Sequence, residues 1–198
     1  MPLSAPAGRA AHPAEVGDHA AVVAERIRDF AAAPTRMLLS SEGLTTTLLE
    51  AWTGDPVHMT GVEHHRAGAD AVPGETRRRL RAAADCPVLL RRSVTADSRG
   101  TPLSANRVTA RLDVFAPAES CLTDPAAPLG AALHLAGTGY RRTVVDAGLT
   151  AWPGGQPRSA AFKTYLLWHG DLPLIAVTEV FNPAVVPADV RTPSGGGT

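Results

Sequence analysis

Apolar residues recur every three to four positions through residues 14–33, with Val16, Ala20, Val23, Ala24, Ile27 and Phe30 on one stripe. That spacing predicts an amphipathic helix ending near Pro34. Residues 44–52 repeat it through Leu44, Leu48, Leu49 and Trp52, with Ser41 or a neighbouring polar residue as cap, and Thr53-Gly54-Asp55-Pro56 stops the helix. The period then changes to two. Residues 57–66 read as a strand, residues 88–96 and 103–112 as a hairpin around Gly100, and residues 140–149 as a further strand. Residues 161–168 and 172–181 form a second hairpin about His169-Gly170-Asp171. A polar helix is predicted over residues 75–84, and a short one from Pro128-Leu129-Gly130 to near Leu135. Strands joined as hairpins, with helices before and between them, predict an α+β protein with an antiparallel sheet and helices on one side.

The chain has 198 residues, enough for one domain, and is 44% hydrophobic and 19% charged, which suits a buried core and argues against disorder. The expected organisation is a mobile segment over residues 1–14, a single domain over 15–183, and a flexible tail over 184–198. The 19 basic and 19 acidic residues cancel. This balance argues against a general nucleic-acid or anionic-membrane binder but permits a local basic pocket. No apolar run reaches the length of a membrane span, and no secretory signal is visible. The two cysteines, Cys86 and Cys121, lack metal-ligand spacing, so a cytoplasmic location is expected. Lys163 is the only lysine among the basic residues.

Phosphate-loop, dinucleotide and nucleophile-elbow motifs are missing. Gly137-Thr138-Gly139 reads as a turn. Glu63-His64-His65 puts its histidines on opposite faces of a strand, which does not make converging metal ligands. Charged residues on apolar strands are left. Leu89-Leu90-Arg91-Arg92-Ser93-Val94 places one arginine inward and the other outward, and Asn106-Arg107-Val108 follows on the partner strand. Glu179 shares a face with Ile175 and Val177, and either enters the core or ends solvated or salt-bridged. A pocket with arginine at one end and glutamate at the other suits a small carboxylate bearing a hydroxyl.

Four stretches, in order across residues 36–182, resemble the chorismate pyruvate-lyases and their lyase-like relatives. They are Arg36-Met37-Leu38-Leu39-Ser40-Ser41-Glu42-Gly43-Leu44-Thr45, the arginine strand with its Gly100-Thr101-Pro102 turn, Pro128-Leu129-Gly130, and Thr178-Glu179-Val180-Phe181. The same fold is similar to the effector-binding domain of one class of bacterial transcription regulators, although no helix-turn-helix segment is evident here. The resemblance implies an antiparallel sheet of about six strands flanked by helices around an internal site. It also implies a carbon–oxygen lyase that converts chorismate to pyruvate and a hydroxybenzoate, 4-hydroxybenzoate first, without metal or organic cofactor.

In that reading Arg92 holds the ring carboxylate, as a gapless count back from the turn places it, with Arg91 as the fallback. The backbone at Leu129 and Gly130 assists, Glu179 contacts the ring hydroxyl, and Arg107 and Arg142 fall where relatives carry arginine. Lys163 keeps the charge of a basic pair, and Gly61 stands where relatives can have a bulky residue; both departures bear on substrate and product isomer. The retained Arg92, Leu129 and Glu179 favour the enzyme. The alternatives are a non-catalytic, sensor-like binder of small aromatic acids, or a repurposed enzyme of specialised metabolism that makes another isomer or acts on another cyclic acid. The partner in each case is a small molecule, with no nucleic acid or membrane, and the protein is a monomer or homodimer.

Overall fold

The period-two segments pair into one antiparallel sheet of six strands: β1 (Val57–Gly68), β2 (Pro87–Asp97), β3 (Pro102–Arg111), β4 (Arg141–Ala151), β5 (Ser159–His169) and β6 (Leu172–Phe181). Their order across the sheet is β1-β2-β3-β6-β5-β4. The computed structural model describes residues 13–114, 122–123, 140–154 and 157–191. The expected α+β class and antiparallel sheet are both present. The short helix expected from Pro128 lies outside the described residues.

Three helices precede the sheet: α1 (Pro13–Arg28), α2 (Ala33–Ser40) and α3 (Thr45–Thr53). Their apolar stripes bury Val23, Ile27, Phe30, Leu38, Leu39 and Leu49 against Leu103, Ala147, Ala161 and Phe181 of the strands. This face of the sheet is the inner one. A second cluster continues it through Leu89, Val108, Tyr165, Ile175 and Val177. Fully burying side chains of this kind stabilises by about 1.5–3 kcal/mol each. On the opposite face Leu80, just after α4 (Gly74–Arg79), packs on Leu166 and Ala176, and Ala69, Val72 and Cys86 pack with Val88.

Three boundaries differ from the sequence reading. The first helix stops at Arg28, and Pro34 stands in the first turn of α2 rather than ending the helix before it. A proline is well tolerated there because the first helical N–H groups have no intrahelical partner. The polar helix shortens to α4, since Arg81 takes a positive φ of 52°. The tail expected from residue 184 also needs correction. Val186 is fully buried in the helix–sheet core, with Val185 and Ala188 packed beside it. The Ala31 amide donates to the Asp189 carbonyl at 2.8 Å, and the Arg191 amide to the Asp29 carbonyl at 2.7 Å. The Pro/Ala composition that reads as a loop conceals this apolar seam against Phe30.

Candidate functional site

On β2 the side chains of Arg91, Ser93 and Thr95 share the inner face, because alternate residues of a strand point the same way. Register carries that face across the sheet. Ser93 is opposite Asn106, Asn106 opposite Glu179, and Glu179 opposite Lys163. One step along, Arg91 is opposite Val108, Val108 opposite Val177, and Val177 opposite Tyr165. The connection from α2 to α3 crosses above these rows. It encloses a cavity of about 50 Å³ lined by Leu44, Thr45, Met59, Arg91, Arg142 and Glu179, among others. That volume holds about three or four waters, or the oxyanion head of a ligand.

Glu179 sits at the centre of this cavity with both carboxylate oxygens engaged. Thr45, in the first turn of α3, donates its hydroxyl to Oε2 at 2.8 Å, and the Tyr165 hydroxyl donates to Oε1 at 3.0 Å. Behind it the fully buried Lys163 Nζ lies 3.8 Å from Oε2. The same ammonium donates to the Leu38 carbonyl at 3.0 Å and the Ser41 carbonyl at 3.3 Å. Those carbonyls belong to the end of α2, where the last C=O groups lack helical partners and favour a cation. Lys163 therefore ties helix, glutamate and sheet together.

Arg142 faces the cavity from β4. Its guanidinium stacks 4.3 Å from the Tyr165 ring centroid, and one nitrogen donates to the Gly43 carbonyl. Its Nε is buried with no hydrogen-bond partner among the described residues. The neighbouring Val144 amide donates to the Glu42 carboxylate at 3.2 Å, so residues 41–44 form a strap held from below by Lys163, Arg142 and Val144. On the other side of Glu179, Ser104 donates to Asn106 Oδ1 at 2.9 Å and Asn106 Nδ2 donates to Thr95 at 3.0 Å, which satisfies these buried polar groups.

Burial lowers the Lys163 pKa, and Arg142 pushes the same way while the Glu179 charge opposes them. Burial, reinforced by the Glu179 carboxylate, raises the Tyr165 phenol well above its ordinary value. The folded protein should thus keep that proton past pH 10, the ordinary value. A spectrophotometric tyrosinate titration of the two-tyrosine chain should show one late-ionising group, which Tyr165→Phe removes. Two tyrosines ionising together near pH 10 in the folded state would contradict the contact with Glu179.

Of the residues singled out from the sequence, the structure brings Arg91, Arg142 and Glu179 together around the cavity, with Lys163 beneath them. Arg92 and Arg107 are exposed on the opposite face. Arg91, the fallback of the gapless count, is thus the member of the pair that lines the cavity, and Arg92 and Arg107 do not line it. Gly61 lies in a bulge of β1 with φ of 56° and borders a concavity of that outer face, so it does not shape the cavity around Glu179. Leu129 and Gly130 lie outside the described residues. Among the described residues no group of three or more His, Cys, Asp and Glu side chains is placed to hold a metal. No described helix is long and apolar enough to cross a membrane.

Sequence reasoning missed Thr45, Tyr165, Ser93, Thr95 and Asn106. A signal for most of them was available: hydroxyl and amide side chains at alternate positions from Arg91, and two positions after Lys163. Polar groups on one face of otherwise apolar strands mark a polar cavity wall.

No protein-family model and no curated protein matches the chain. Solved structures do. The chain superposes on PhnF from Mycobacterium smegmatis with a TM-score of 0.56 at 15% identity, covering 77% of this chain and 69% of that one. For the effector domain of PhnF alone the TM-score is 0.56 at 16% identity, over 73% of this chain and 91% of that one. The ligand-binding domain of a putative GntR-family transcriptional regulator from Bordetella bronchiseptica gives 0.51 at 18% identity, over 70% and 88%. Two of these neighbours are single domains, an effector domain and the ligand-binding domain of a GntR-family transcriptional regulator, and none of the three is named as a lyase. The expected carbon–oxygen lyase of aromatic biosynthesis is corrected on this finding. What the chain shares with these structures is the fold of a regulator's effector domain.

Proposed function

We propose that the chain is a non-catalytic domain that binds a small organic anion, with an aromatic acid as the first candidate, in the cavity between the sheet and the α2–α3 strap. The observation that carries this reading is the pair Arg91 and Arg142 on the walls of one small buried cavity whose carboxylate is already engaged. Among the described lining residues the ionisable charges are these two guanidiniums and Glu179. Glu179 is offset by Lys163 behind it, and the two guanidiniums are the cationic groups on the walls. Guanidinium pairs bidentately with carboxylate and stays charged when buried.

The geometry also suits a sensor. At about 50 Å³ the cavity is well below the size that encloses a whole drug-like ligand, about 300 Å³ or more, so the body of an aromatic acid displaces part of the strap. An oxyanion that takes Arg142 from the Gly43 carbonyl loosens the strap at that point. Ligand charge is thereby converted into movement of residues 41–44, a differential contact of the kind a ligand-driven switch requires.

Calorimetric titration with 4-hydroxybenzoate and its uncharged amide tests the reading. The acid should bind at least about tenfold more tightly than the amide, as loss of a charge-assisted hydrogen bond predicts. Equal binding of the two, or none, removes the proposed anion site. Pyruvate release from chorismate by the same protein would overturn the non-catalytic assignment.

A further inference from the structure

Arg92 and Arg107 stand directly opposite each other on β2 and β3, on the sheet face that α1–α3 do not cover. Like charges in this cross-strand position destabilise a sheet. Neither side chain makes a hydrogen bond or ion pair with another described residue. Their row continues to Thr178, opposite Arg107, and on the other side to Glu63, opposite Arg92 on β1. Among the described residues the chain past α4 covers the far end of the face, over Leu166 and Ala176. Among the described residues the near end holds a concavity of about 650 Å³ beside the two arginines, with Glu63, Leu149, Trp152, Phe162 and Val180 among its walls. Gly61 opens its β1 side, since a Cβ there would meet nothing within 4 Å.

We propose that this is a second ligand site, separate from the Glu179 cavity, which takes a phosphate monoester carried on an aromatic body. Two guanidiniums on one side of the concavity, against the single carboxylate of Glu63, attract a group of charge about −2, and each offers a planar fork of donors to its oxygens. Trp152 and Phe162 supply aromatic surface for the body, and the volume lies in the range of small-molecule sites, about 300–1,000 Å³. The site does not depend on the anion assigned to the inner cavity.

Phenyl phosphate and inorganic phosphate are the probes, followed by calorimetry and by tryptophan fluorescence. Phenyl phosphate should saturate, perturb the fluorescence, and bind more tightly than inorganic phosphate. Arg92→Ala and Arg107→Ala, both at exposed positions, should each weaken it by about tenfold or more without altering the fold. Arg91→Met, aimed at the inner cavity, should leave it bound. Failure of phenyl phosphate to saturate, or unchanged affinity in the two outer variants, overturns the proposal. So does sedimentation showing that the wild type self-associates through this face and that Arg92→Ala and Arg107→Ala dissociate it.

Discussion

Glu179→Ala should destabilise the protein by about 3–5 kcal/mol in urea unfolding at neutral pH, the cost of removing one partner from a buried ion pair. The truncation leaves the fully buried Lys163 ammonium with only carbonyl acceptors at the end of α2, and deprives Thr45 and Tyr165 of their shared acceptor. Glu179→Gln keeps an acceptor oxygen and should lose less. The double variant Lys163→Met with Glu179→Leu should recover much of the loss, because two matched apolar side chains replace the pair instead of stranding half of it. A Glu179→Ala protein within about 1 kcal/mol of the wild type would show that Lys163 carries no charge in the fold. The same tie recasts Lys163, which the family resemblance reads as keeping the charge of a basic pair. Its ammonium is spent on α2 and Glu179.

The second large effect concerns ligand affinity. Arg91→Met should weaken 4-hydroxybenzoate by about 2–5 kcal/mol, the range for truncating one side of a desolvated charge pair. Arg92→Met should leave it within about 0.5 kcal/mol, as for a surface change away from the site. The two positions adjoin in sequence, so the comparison holds the backbone, strand and net charge change constant. Circular dichroism and the unfolding midpoint establish that each variant is folded. If Arg92→Met is the variant that loses the ligand, the anion is bound on the outer face and the inner assignment falls.

That adjacent pair also shows why the fold was more legible than the site. Each strand and hairpin was written in the alternation of its own residues, and the antiparallel sheet follows from hairpin connections. The inward phase of β2 was not. Val88, Leu89 and Leu90 are apolar in succession, and beyond the arginines the more apolar set is Val94 and Ala96, which shares the phase of Arg92. The rule that the apolar phase faces inward does not pick out Arg91 here, because the inner face at this point is the polar wall of a cavity. Bulges in β1 and β4 shift register further, and no local pattern announces them. The Glu179–Lys163 tie needed the register of β5 with β6, although both residues were visible separately. Pro34 shows the reverse difficulty, since proline marks both the end of one helix and the beginning of the next.

The order β1-β2-β3-β6-β5-β4 divides the sheet into two meanders of three consecutive strands, joined along a single seam between β3 and β6. Within each meander the pairings are between neighbours in the chain, whereas the seam closes a long loop. Loop-closure entropy makes such a contact costlier to form than the pairings within a meander. Arg91 belongs to the first meander, and Arg142, Tyr165 and Glu179 to the second. The cavity therefore does not exist until the halves have met, and an anion held between Arg91 and Arg142 fastens one half to the other like a removable rivet.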